Sequence, residues 1–344
     1  MTTNISSPPD QTAREQSLRV RIIPYLDRYG IIILVLLMMA VLHFLQPEVF
    51  LTWRNLTNVT RQIAVNAMLA LGQFLVILTA GIDLSVGSTL ALGMVTLARL
   101  SQAGWPWQLA FFVPVVVGLA VGWVNGVALT KLRLPHPFIV TLGTLNIVRG
   151  LTNLVSGGVP ISGLPDQIRY LGYADIPTSQ FLGERRDLPV SLIVIGVFYL
   201  GFWFWLNYAP KGRHIYGLGG NPQAARVSGI NVDRTLILVY TLCGALAGLA
   251  GLLLAGRTGS GFPNAGEGAE LDAIAAVIIG GASFFGGRGT VLGVLAGALI
   301  IGLLRNGLNL MDVSVFWQQV LIGLVIIGAV YVDVLRRRAG SSNG

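Results

Sequence analysis

The chain has 344 residues, of which 53% are hydrophobic and 11% charged, and a formal net charge of +8. Soluble domains carry roughly 25% charged residues and disordered chains combine low hydrophobicity with high charge, so both classes are excluded, and a single cysteine, Cys243, excludes a disulfide scaffold. What remains is a protein dissolved in lipid, where about 20 apolar residues cross a hydrocarbon core roughly 30 Å thick.

Residues 1–29 form a polar tail with Arg14, Arg19, Arg21 and Arg28. The apolar run Ile31 to Leu45 follows. Gln46-Pro47-Glu48 stands where a signal peptide would have its small-residue cleavage site, so the run is expected to be a retained first span. Further runs near 62–80, 86–103, 108–130, 137–155, 188–207, 235–256, 271–284, 289–309 and 316–334 bring the number to ten. The expected fold is all-α and polytopic, with about ten transmembrane helices, some broken or re-entrant, in a membrane domain over 30–335. Eight or nine spans with one re-entrant segment around 271–290 fit nearly as well. Residues 336–344 form a second tail.

An even number of spans puts both termini on one side. That side collects fourteen basic residues: the four of the tail, Lys131, Arg133, Lys211, Arg213, Arg226, Arg234, Arg288, Arg336, Arg337 and Arg338. The other side collects six, namely Arg54, Arg61, Arg169, Arg185, Arg186 and Arg257. The bias places the termini in the cytoplasm of a cell membrane, and it accounts for the positive charge without a nucleic-acid partner.

Glycines recur every fourth residue at Gly118, Gly122 and Gly126 and again at Gly289, Gly293 and Gly297. Small faces let membrane helices approach closely, and the repetition suggests a possible two-fold internal repeat around a central path.

Three segments stand out. Gly81-Ile82-Asp83-Leu84-Ser85-Val86-Gly87-Ser88 interrupts two apolar runs, and such a break is tolerated only where protein or a watery cavity satisfies the backbone. Asp83, Ser85 and Ser88 are candidates for a translocation path near mid-membrane, while Asp83 or Ser85 serving as a helix cap is the plainer alternative. Asp83 is the only acidic residue expected well inside the apolar spans. Asn66, Gln73, Asn125 and Asn146 are further polar candidates for a neutral solute. Gly280 to Thr290 is rich in glycine but lacks the spacing and lysine of a phosphate-binding loop, so a tight turn with close helix packing is expected. Gly217 to Ile230 forms a cytoplasmic loop within 208–234. Asn221 suits an N-cap, Pro222 a first helical position and Gly229 a left-handed stop. A helix of about seven residues must pack on something, either the membrane helices or a partner that comes close to Ala224, Ala225 and Val227. No metal-ligand spacing appears, and Ser85 lacks the first glycine of a G-x-S-x-G nucleophile turn.

Taken together, GIDLSVGS, GLGGNPQAARVSGI and ELDAIAAVIIGGASFFGGRGTVLG resemble the permease subunits of bacterial ABC importers for monosaccharides, over roughly residues 50–335. The resemblance implies two ATP-binding subunits, a second permease copy (identical or paralogous) and an extracytoplasmic sugar-binding protein. It implies that Gly220, Asn221, Pro222, Ala224, Ala225, Arg226, Ser228, Gly229 and Ile230 couple to the ATPase. It also implies that 83–88 lies beside the path. The chain itself is then expected to be no enzyme and to hold no cofactor, ATP being bound by the partner. A branched-chain amino-acid permease and an ion-coupled carrier are the alternatives.

Overall fold

The computed structural model describes residues 30–132, 134, 136–178 and 187–341, without the side chains of 332, 333 and 335–341. The tail 1–29 with its four arginines, Arg133, Arg185, Arg186 and the side chains of Arg336, Arg337 and Arg338 lie outside the described residues. The helices are α1 (Gly30–Leu45), α2 (Trp53–Leu78), α3 (Val86–Gln102), α4 (Trp107–Ala110), α5 (Val113–Lys131), α6 (Pro137–Ser156), α7 (Asp166–Tyr173), α8 (Val190–Tyr208), α9 (Pro210–Gly220), α10 (Pro222–Val227), α11 (Val232–Thr258), α12 (Ala269–Ile279), α13 (Val291–Leu310) and α14 (Val315–Ser341). Six have the length and apolarity to cross a bilayer, with α4 and α5 counted as one, and the chain is an all-α polytopic membrane protein.

Each predicted apolar run corresponds to a helix, but three boundaries move for physical reasons. α2 starts nine residues before the run at 62, because Thr52 caps it through Asn55 N–H and polar pairs support its first turns: Asn55 with Asn306, and Arg61 with Asp175. α13 starts at Val291, after the run's first two residues, because Thr290 accepts from Gly293 N–H. α12 has 11 residues, about 16 Å at 1.5 Å per residue, which falls short of a roughly 30 Å core. The chain before it does not loop outside. Ser260 and Gly261 (β4) pair antiparallel with Ile161 and Ser162 (β1), Gly261 lies on Met94 and Ala98, and Gly266 lies on Gly87. A turn-rich stretch therefore descends along α3 before α12 begins, so 259–279 runs from the end where α2 begins to the opposite end as a two-residue ladder, turns and a half-length helix.

Residues 157–178 and 187–189 carry α7 and a second two-residue ladder, Asp175–Ile176 (β2) with Leu188–Pro189 (β3). Trp53 Nε1 donates to Asp187 O at 3.0 Å, which marks this as the end where α2 begins. The opposite end holds 79–85, 132, 134, 136, 209–231 and 280–290 and is called the basic end below.

Helix pairing has an internal symmetry. α2 packs on α11; α3 packs on α5 and α6 as α12 packs on α13 and α14; α11 packs on α3 and α5 as α2 packs on α12 and α13. Exchanging α2–α6 with α11–α14 returns the same pattern, with α2 and α11 running in opposite senses. The glycine ladders do not carry this repeat. Gly118, Gly122 and Gly126 of α5 abut Gly244, Tyr240 and Ile237 of α11, whereas Gly293 and Gly297 of α13 abut Gly280 and Ala276 of α12, and Gly289 precedes its helix. Equivalent helices use different faces.

Candidate functional site

The break after α2 is closed by its own side chains. Ala80 takes a left-handed φ of 57°, and Gly81 N–H donates back to Val76 O, ending the helix. Asp83 Oδ1 then accepts from Ser85 N–H at 2.8 Å and from Ser85 Oγ at 2.6 Å. This is a local turn held by an aspartate and not a cap, since Ser85 makes no side-chain bond to the first turn of α3. Asn125 of α5 donates to Ser85 Oγ at 2.9 Å and reaches Asp83 Oδ2 at 3.4 Å, while Ser88 Oγ donates to Ser85 O. The Gln73 amide, with nitrogen towards Asp83 O (3.1 Å) and oxygen towards Asp83 N–H (3.2 Å), brackets the backbone of the same residue.

Asp83, Ser85, Ser88, Gln73 and Asn125 thus form one network, each at most 1% exposed. Asn125 lies six residues before the end of α5, about 9 Å along its axis, so the cluster sits nearer the basic end of the bundle than the opposite one. Asn66 and Asn146 are not in it. The buried Asn66 amide has no protein partner, and Asn146 is on an exposed face of α6, its nitrogen bonded to Leu142 O.

Asp83 is not alone as an embedded acid. Asp272 of α12 pairs with Arg305 of α13 at 2.6 Å, and Glu270 sits against Gly87 of α3. Arg149 of α6 donates to Pro263 O and Ala265 O, which ties the descending stretch to the bundle. The sequence left Arg149 and Arg305 without a role. No local signal could assign one, because their partners lie 114 and 33 residues away.

The second break meets the first. Gly287 N–H donates to Leu78 O at 2.9 Å, and Gly280 of this break packs on Gly293. Helix α9 lies across both. A Cβ on Gly219 would collide with Leu78 O and Gly287 N, Gly286 faces Gly219 O, and Tyr216 Oη donates to Gly289 O at 3.0 Å. Burial pushes the Tyr216 hydroxyl above its ordinary pKa, which keeps it a donor. The three segments singled out in the sequence therefore touch, through contacts made largely by backbone.

Beyond α9 comes α10, six residues long. Asn221 Oδ1 accepts from Ala224 N–H; Gly229 has φ of 82°, and Ile230 N–H closes on Ala225 O. Both ends match the sequence reading. Ala225 is buried and seats the helix, while Ala224, Arg226 and Val227 face outward, Val227 at 90% exposure. Of the residues named for coupling, Gly220, Asn221, Pro222, Ala224, Arg226, Ser228 and Gly229 are exposed; Ile230 is partly buried.

A family profile described as "Branched-chain amino acid transport system / permease component" matches residues 55–330. Among curated relatives, the ribose import permease protein RbsC of Escherichia coli K12 is 42% identical over 303 residues, covering 88% of this chain and 92% of that protein. The D-allose transport system permease protein AlsC of the same organism is 41% identical over 312 residues, covering 90% and 92%. The galactose/methyl galactoside import permease protein MglC, also from that organism, is 36% identical over 327 residues, covering 91% and 95%. No solved structure matches the chain.

Proposed function

This chain belongs to the family of branched-chain amino acid transport system permease components, in its sugar-importing branch, and from that premise we propose how it moves a monosaccharide. The basic end faces the cytoplasm. A separate ATP-binding subunit docks on α10, and its closure drives alternating access through α9 and the two breaks. Two ATPase subunits, a second permease copy and an outer sugar-binding protein complete the importer in the cell membrane. Concentrating a solute 10,000-fold takes about 5.5 kcal/mol, and this chain has no nucleotide loop to supply it.

The observation that carries the reading is the seating of α10. It is capped at both ends and outward-facing at Val227 and Arg226, and it follows directly on a helix wedged against the Leu78–Gly287 hydrogen bond. A load on α10 reaches both breaks through rigid backbone contact. Asp83 and its neighbours keep the α2–α3 corner intact while the helices tilt. Asn66 and Asn146, outside that network, are the polar candidates for sugar hydroxyls, Asn66 through a buried amide that helix movement must uncover and Asn146 on the exposed face of α6.

The test is reconstitution in liposomes with the cognate ATPase and a panel of loaded binding proteins for ribose, allose, galactose and branched-chain amino acids. Sugar-loaded protein should stimulate ATP hydrolysis and uptake. Arg226→Glu should preserve insertion and lose uptake at least tenfold. Stimulation by the amino-acid protein alone would reassign the substrate, and accumulation driven by a proton or sodium gradient without ATPase would overturn the mechanism.

A further inference from the structure

A cavity of about 1140 Å³ opens at the basic end between the start of α1, the end of α8, the first two turns of α9 and the 280–296 segment. Arg213 and Arg288 line it, no aspartate or glutamate does, and neither arginine forms an ion pair among the described residues. Its flank is apolar and open: Ile32 is 52% exposed, Trp203 37% and Leu292 58%. Trp203 stacks edge-on with Tyr208, the aromatic pairing typical of a helix end at head-group level.

We propose that this cleft binds an anionic phospholipid of the leaflet at the basic end, the phosphate between Arg213 and Arg288 and the acyl chains along Ile32, Trp203 and Leu292. The charge calls for an anion, because among the described residues two guanidinium groups without an ion pair share one cleft with no carboxylate. The flank calls for a lipid, because a soluble phosphate would satisfy the arginines and leave those side chains uncovered. The cleft also touches moving parts: Tyr216, bonded to Gly289 O, and Thr290, which caps α13, both line it. A bound head group would brace the second break.

The experiment uses the full chain in mild detergent, stripped of lipid, with native mass spectrometry after addition of phosphatidylglycerol or phosphatidylcholine. Two arginines beside a head group of net charge −1 predict about 30-fold preference for phosphatidylglycerol, because the choline cation cancels the phosphate charge of phosphatidylcholine. Arg213→Gln with Arg288→Gln should reduce the preference to within about threefold, while Lys131→Gln, an exposed basic change outside the cleft, should retain it. Equal retention of the two lipids by the wild-type chain overturns the proposal whether or not the double variant folds. Full preference in the double variant also overturns it, as does displacement of phosphatidylglycerol by millimolar inorganic phosphate alone, which would mark the cleft as a soluble-anion site.

Discussion

Residues 79–85 and 280–290 both turn the chain at the basic end, and both must find partners for backbone groups freed from helices. The first does it with side chains: Asp83, Ser85, Asn125 and Gln73 supply acceptors and donors around one buried residue. The second does it with glycines, bringing Gly280, Gly286 and Gly287 against Gly293, Ala80 and Gly220. A polar network tolerates isosteric change, since one acceptor can replace another. A glycine contact tolerates none, because the neighbour is backbone and cannot move aside.

That contrast orders the substitutions. Gly287→Leu should be the most damaging, since it adds a left-handed strain at φ 71° to a collision with Gly220. A loss of roughly 3 kcal/mol or more is expected, read as a collapsed size-exclusion peak in detergent. Asp83→Leu leaves Ser85 and Asn125 facing an apolar side chain and should cost roughly 2–4 kcal/mol, with uptake reduced, checked by thermal melting and transport. Asp83→Asn preserves an acceptor and should cost about 1 kcal/mol. If the asparagine variant melts as low as the leucine one, the carboxylate charge matters and the isosteric argument fails. Val227→Ser should be the mildest, within about 0.5 kcal/mol in melting because the side chain is 90% exposed, yet it should weaken ATPase co-purification. Unchanged partner retention would move the docking surface off α10.

The short helix α10 was legible almost residue by residue, because capping is local: Asn221, Pro222 and Gly229 carry their backbone preferences wherever they occur. The burial of Ala225 was not, since a six-residue helix shows no reliable face. The Asp83 break was visible as a polar interruption, but its membership was not. Gln73 and Asn125 look in the sequence like Asn66 and Asn146, and only the crossing of α2 and α5 separates the pairs. The length of α12 was not legible, because Gly280 to Phe284 extends the apolar run without extending the helix.

The sequence by itself determined what is set by solvent and by neighbours a few residues apart: a lipid-embedded all-α chain, its apolar runs and the caps of α10. Tertiary structure alone decided which polar groups meet, that Arg305 answers Asp272, and that α9 rests on the junction of two breaks about 200 residues apart. Those contacts depend on helix crossing angles and on glycine faces whose partners no local spacing encodes.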